Sequence, residues 1–188
     1  MYLYLTKKEW IEPWLNGGEI PINLASTYRK MERNGIFTPD ENLIYEATHP
    51  YSVLQGVIAL EDVRGITLTN VNINGYQINH MYIKERREED GLILSFCNHF
   101  SERTAHRLEK EAAIEIIDID KLIKSINRQT KTKCKRGNCE YTLGHNRNHF
   151  LKSYRDAWQD EHRLFWNHPE SINAQIPRGI GTIKWLNQ

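Results

Sequence analysis

The chain has 188 residues, 39% of them apolar and 26% charged, which suits one folded domain over 1–188 and excludes a disordered polar polymer. A net charge of +1 excludes an overall field that draws in nucleic acid, so such a partner must be recognised locally. Three cysteines, Cys97, Cys134 and Cys139, make no dense disulfide framework and fit a reducing compartment.

In chain order, Met1 to Lys8 lack the basic-then-apolar pattern of a secretion signal, and no apolar run approaches the roughly eighteen residues of a spanning helix. The expectation is a soluble, cytoplasmic protein with no membrane partner. Residues 3–5 read as a strand. Thr6 with Glu9 forms a reciprocal capping pair and predicts a helix whose Trp10, Ile11, Trp14 and Leu15 share a core face, stopped by Asn16-Gly17-Gly18. Residues 20–24 are extended, the polar run 25–30 reads as a loop facing a cleft, and 38–41 as a turn or helix start.

Strands are expected at 56–60, 65–71 and 92–96, with 84–90 as a solvated charge run. Residues 101–111 have helical composition and 113–117 are a strand. Asp120 is placed to cap a helix over 121–127 with Leu122, Ile123 and Ile126 inward. A hairpin is expected over 131–141, turning at Gly137-Asn138. A short helix over 150–158 and strands over 159–166 and 181–186 complete a mixed α+β pattern, without a GxGxxG or GxxxxGK[ST] phosphate loop.

Three polar clusters interrupt this pattern: Ser26, Thr27, Tyr28 and Arg29; Ser95 to Asn98; and Trp158, Gln159, Asp160 and Glu161 with Arg163. In an extended strand Gln159 and Glu161 point to one face. A carboxylate held beside an amide and flanked by aromatics suits a sugar cation forming as its base leaves. The plain alternatives are a wet strand face for Gln159 and Glu161, a core or rim aromatic for Tyr28, a surface ion pair for Arg29, a satisfied hydroxyl for Ser95 and packing for Trp158.

The order of these clusters resembles the ADP-ribosyltransferase fold, and Lys152, Trp158, Glu161 and Arg163 form a Lys-x5-Trp-x-x-Glu-x-Arg pattern similar to small bacterial and phage-related domains of that fold. Nearest among them are RNA-modifying toxins of anti-phage toxin-antitoxin systems. The resemblance implies two short mixed or antiparallel sheets around an NAD cleft with flanking helices. It makes Glu161 the catalytic carboxylate and Gln159 the group that orients acceptor or ribose. Arg29, with Arg163 or Arg33 as rivals, would hold the pyrophosphate, Tyr28 would stack on nicotinamide, and Thr27 would line the same site. Ser95 would bond the ribose or support Glu161, although the family's Ser-Thr-Ser stands here as Ser95-Phe96-Cys97. The implied partners are NAD as substrate, an RNA or protein acceptor and an antitoxin.

Lys121, Lys124, Arg128, Lys131, Lys133, Lys135 and Arg136 accumulate with no acid among residues 121–136, a local patch suited to backbone phosphates or to an acidic antitoxin, and equally to solvent. In the same region Cys134, Cys139, His145 and His149 spell Cys-x4-Cys-x5-His-x3-His. Its pair spacings suit zinc while its middle gap is short for a finger. The alternative function is therefore a zinc-containing nucleic-acid-binding module or a metal-dependent nuclease; the NAD reading needs no metal.

Overall fold

In the computed structural model, which describes residues 1–29, 43–44, 66–73, 75–83, 87–143 and 148–187, strands from both ends and the middle of the chain join one sheet. Along the chain come β1 (Tyr2–Leu5), a 3-10 turn at Lys8–Ile11, α1 (Glu12–Asn16), β2 (Gly18–Ile22) and α2 (Ala25–Arg29). They are followed by β3 (Leu43–Ile44), β4 (Ile66–Ile73), β5 (Tyr76–Ile83), β6 (Arg87–Glu88), β7 (Leu92–Cys97), α3 (Glu102–Arg107), β8 (Ala112–Ile116) and α4 (Ile119–Thr130). Last are β9 (Lys135–Asn138), β10 (Glu140–Thr142), β11 (Leu151–Ser153), a 3-10 helix at Tyr154–Gln159, β12 (Glu161–Trp166), β13 (Ile172–Ile176) and β14 (Gly181–Leu186).

The main sheet is six-stranded, in the order β14-β8-β1-β7-β12-β9, and its neighbours are antiparallel. Two-stranded pairs join β13 to β2, β3 to β6 and β4 to β5 antiparallel, and β10 to β11 parallel. This is an α+β protein in which antiparallel pairing dominates.

Side-chain alternation separates the two faces of the sheet. On one face Leu3, Leu5, Ile114, Leu92, Phe96, Leu164 and Trp166 pack with Leu122 and Ile126 of α4, Trp14 of α1, and Ile20, Ile22, Ala174 and Ile176 of the β2–β13 ribbon. Each large apolar side chain buried there contributes about 1.5–3 kcal/mol over leaving it in water. On the other face Tyr4, Cys97 and Ala113 pack under Ala105 of α3, with Phe100, Leu108 and Trp185 around them.

The seam between β1 and β7 positions the candidate site. These strands pair at Tyr2 opposite Cys97, whereas β1 pairs with β8 from Tyr2 through Leu5. The carbonyls of Met1 and Leu5 accept from Ile116 and Glu111 on the β8 side, so the main-chain groups of Tyr2 and Tyr4 face β7. In β7 the alternate residues face the same seam, where Ile93 N–H bonds the Asn23 carbonyl and the Gly91 carbonyl accepts from Ala25 N–H. Tyr4 and Ser95 are thus the next rung in register, and that rung is open. Where two short sheets are expected, the described residues form one six-stranded sheet, parted along this seam, and four two-stranded ones.

Several local expectations change. Thr6 caps nothing, because Pro13 lies in the first turn of α1 and the helix starts at Glu12. Trp10, expected in the core, is 48% exposed. The polar run 25–30 contains α2, whose Ser26 N–H is met by Asp90 Oδ1 at 3.0 Å. Of the two start signals in 101–111, Ser101 and Thr104, helix α3 uses Ser101, which accepts from Thr104 N–H, and it ends at Arg107 before the left-handed Glu109. Asp118, not Asp120, caps α4. The 131–141 hairpin is absent: β9 pairs with β12, and β10 with β11. The short helix expected over 150–158 is β11 followed by a 3-10 helix. Residues 38–41 and 56–60 lie outside the described residues.

Candidate active site

Strand β12 lies beside β7 with Glu161 opposite Cys97 and Arg163 opposite Ser95, so these four side chains share the face away from α4. Just before β12 the chain turns at Asp160, which is left-handed at φ 45°, a conformation that Asp tolerates better than most residues. The Asn98 backbone N–H bonds the Asp160 carbonyl at 2.8 Å, and the Asn98 amide reaches Asp160 Oδ1 at 3.0 Å. Burial would raise the Asp160 pKa, but the bonds from Asn98 and His99 hold it below the ordinary value. The turn leaves Gln159 at the end of the 3-10 helix. Gln159 and Glu161 are therefore not alternate residues of one strand as expected.

Lys152 of β11 brings them together. Its Nζ lies 2.8 Å from Gln159 Oε1 and 3.1 Å from Glu161 Oε1. Arg163 Nε lies 2.6 Å from Glu161 Oε2, and the same guanidinium donates to the His149 carbonyl at 2.9 Å. The Glu161 backbone N–H bonds the Tyr141 hydroxyl oxygen at 2.8 Å, and Cys139 Sγ lies 3.8 Å from Glu161 Oε2. Gln159 in turn contacts Asp156, which is fully buried.

Burial alone would raise the Glu161 pKa, but Arg163 and Lys152 more than reverse it and hold it down to about 2. Glu161 is thus a fixed anion with each oxygen held by a cation, and so weak a base suits accepting hydrogen bonds rather than protons near neutrality. Burial, with the charges of Glu161 and Asp160, pushes the Cys97 thiol up to about 12. Cys97 is accordingly no nucleophile at neutral pH.

The parted seam opens into a cavity of about 790 Å³ lined by residues from β1, β2, β7, the α1 region, the loop after α3 and the 3-10 helix before β12. That volume lies within the range of about 300–1,000 Å³ usual for small-ligand pockets. Tyr28, Ser95, Gln159, Glu161 and Arg163 all line it. Thr27 does not line it, and the Arg29 side chain, like Arg33, lies outside what is described. Arg163, expected as a phosphate ligand, is 1% exposed and is engaged with Glu161.

Sequence reasoning missed the role of Lys152 in joining Gln159 to Glu161, although the spacing pattern contained it. It also missed Tyr4, Trp10 and Arg107, which line the cavity. Tyr2 and Tyr4 alternating in β1 were the available signal, since aromatics there face away from the Leu3 and Leu5 core.

For the zinc alternative, Cys134 packs against the core on the α4 side while Cys139 contacts Glu161 on the other. Among the described residues no three His, Cys, Asp or Glu side chains are grouped to hold a metal, and His145 lies outside them. Also among the described residues, no helix is long and apolar enough to cross a membrane. Comparison with known proteins finds no matching family, no matching curated protein and no matching solved structure.

Proposed function

We propose that this chain is a mono-ADP-ribosyltransferase that cleaves NAD and passes ADP-ribose to a macromolecular acceptor. The observation that carries this reading is the seam cavity, which gathers Tyr28, Ser95, Gln159 and Glu161 from distant parts of the sequence around one carboxylate. The open Tyr4 and Ser95 rung adds paired main-chain donors and acceptors suited to a planar amide.

In this reading Glu161 accepts a hydrogen bond from a ribose hydroxyl. The bond from C1′ to nicotinamide breaks, its electron pair leaves with nicotinamide, and the fixed carboxylate stabilises the sugar cation. An acceptor oxygen or nitrogen then adds to C1′ and gives its proton to water. Gln159, pinned by Lys152, orients that acceptor.

RNA is the favoured acceptor, because Lys121, Lys124, Arg128, Lys131, Lys133, Lys135 and Arg136 are all exposed. Helix α4 covers the face opposite Glu161, so RNA must pass around the β9 edge, where Lys135 and Arg136 point to opposite faces. A toxin restrained by an antitoxin partner is the biological setting that the resemblance supplies.

The test is nicotinamide release from NAD by the purified protein, alone and with lysate. Wild-type release that is lost in a folded Glu161→Gln variant supports the reading. No release by wild type under either condition overturns it. Label from NAD appearing in a ribonuclease-sensitive fraction selects RNA over protein as acceptor.

A further inference from the structure

Helix α3 ends at Arg107 on the wall of the cavity, and its guanidinium carbon lies 3.8 Å from the centre of the Trp158 ring. Trp158 belongs to the 3-10 helix that delivers Gln159, and both aromatic and guanidinium line the cavity. Among the described residues no carboxylate pairs with Arg107, whose guanidinium rests on the indole instead. The Trp158 ring nitrogen is buried and has no hydrogen-bond acceptor among the described residues.

These features are unusual together. A guanidinium resting on an aromatic face keeps its N–H groups at its rim for an anion while the stack fixes its position. A buried indole N–H without an acceptor is a donor that a ligand oxygen can complete. The charged groups nearest in sequence are otherwise occupied or opposite in sign: Lys110 donates to Thr6 at 2.8 Å, and Glu109 lies between the two cations. Arg163 is committed to Glu161. Glu9, Glu19 and Glu109 also line the cavity, but among the described residues none is ion-paired with Arg107, which leaves its guanidinium as an exposed cation of the cavity wall.

We propose that Arg107, held on Trp158, is the phosphate anchor of the cavity and binds the pyrophosphate of a dinucleotide. The inference deepens the NAD reading and rests on it for the identity of the ligand. It moves the anchoring role from Arg29 and Arg163 to a residue that no spacing argument selected. The stack also ties the anchor to the catalytic segment, because the tryptophan under the guanidinium is the immediate neighbour of Gln159.

The test measures ADP-ribose binding by calorimetry and NAD cleavage kinetics for wild type, Arg107→Gln, Arg107→Lys and Trp158→Phe. Loss of a charge-assisted contact weakens ADP-ribose binding and raises KM for NAD by about tenfold or more in Arg107→Gln. Its kcat stays near wild type, and binding of nicotinamide riboside, which has no phosphate, stays unchanged. Arg107→Lys recovers part of the loss because charge returns without the fork. Trp158→Phe keeps the ring, loses the N–H and weakens ADP-ribose binding to a smaller extent.

Equal loss of riboside and ADP-ribose binding in Arg107→Gln overturns the anchor in favour of a packing role. So does wild-type protein that fails to bind ADP-ribose. Wild type that cleaves NAD with KM unaltered in Arg107→Gln overturns the anchor and leaves the NAD reading standing. Arg107-dependent binding of ADP-ribose without any nicotinamide release supports the anchor and removes the catalytic reading.

Discussion

The Lys152 ammonium lies 3.1 Å from Glu161 Oε1, with 1% of the lysine side chain and 11% of the glutamate side chain exposed. A lysine so deeply buried is tolerable because it is matched by a carboxylate and an amide oxygen. Removing one member of a buried pair strands the other, at a cost of about 3–5 kcal/mol. Lys152→Met fills the same volume without the charge. Its expected destabilisation is of that size, read as a lower denaturant midpoint with an unchanged slope. A variant as stable as wild type would show that the ammonium contributes nothing net.

Acid sensitivity follows from Glu161. Its pKa falls from the ordinary 4.5 to about 2 in the folded protein. A folded value below the unfolded one means that protonation favours the unfolded chain. The stabilisation is full above the unfolded pKa and is lost as pH falls through 4.5 toward 2. Melting temperature measured against pH should fall across that window, and Glu161→Gln should lack this component. Between pH 5 and 8, roughly, Glu161 contributes no acid limb to NAD cleavage. An activity limb near pH 6 that Glu161→Gln alone removes contradicts the clamped carboxylate.

The sheet was more legible than the site. The apolar run 92–96 gave the strand, and the Leu122 and Ile126 spacing gave the buried face of α4, because both signals are local. The ribbon strand β13 went unnoticed although Ile172, Ala174 and Ile176 alternate with Asn173 and Gln175, since the run is only five residues long and its partner β2 lies near the other end of the chain. Glu161, Gln159, Ser95 and Tyr28 were singled out by residue type and do share the cavity, but the reason offered for Gln159 was wrong. The left-handed Asp160 breaks the alternation, and Lys152 restores the neighbourhood through space. Arg107 had no local signal, because its partner Trp158 is far along the chain.

The thiols beside Glu161 are predicted to be inert. Cys97 is its cross-strand neighbour and Cys139 donates its backbone N–H to the Glu161 carbonyl, so the two cysteines sit two strands apart. That spacing is about 9–10 Å, beyond the separation of about 7 Å that a disulfide tolerates. With the Cys97 thiol pushed up to about 12 by burial and by the charges of Glu161 and Asp160, alkylation at pH 8 should label it only after unfolding. Mass spectrometry of the alkylated native protein checks this. Rapid labelling of Cys97, or a Cys97–Cys139 disulfide under mild oxidation, contradicts it.

Gly91 controls how the Tyr28 wall of the cavity docks. A Cβ there collides with the Trp166 carbonyl oxygen and the Phe165 ring. Its carbonyl accepts from Ala25 N–H, and Asp90 Oδ1 receives the N–H groups of both Gly91 and Ser26. Any outward shift of Gly91 therefore moves the start of α2 as well as the end of β12. Gly91→Ala should destabilise by about 1–3 kcal/mol, the usual cost of overpacking, and weaken NAD binding beyond what the stability loss explains. Asp90→Ala separates the two effects, since it frees the Ser26 N–H without the collision: its smaller stability loss should accompany weakened binding. Equal affinity for NAD in wild type and both variants would show that the α2 segment does not help form the site.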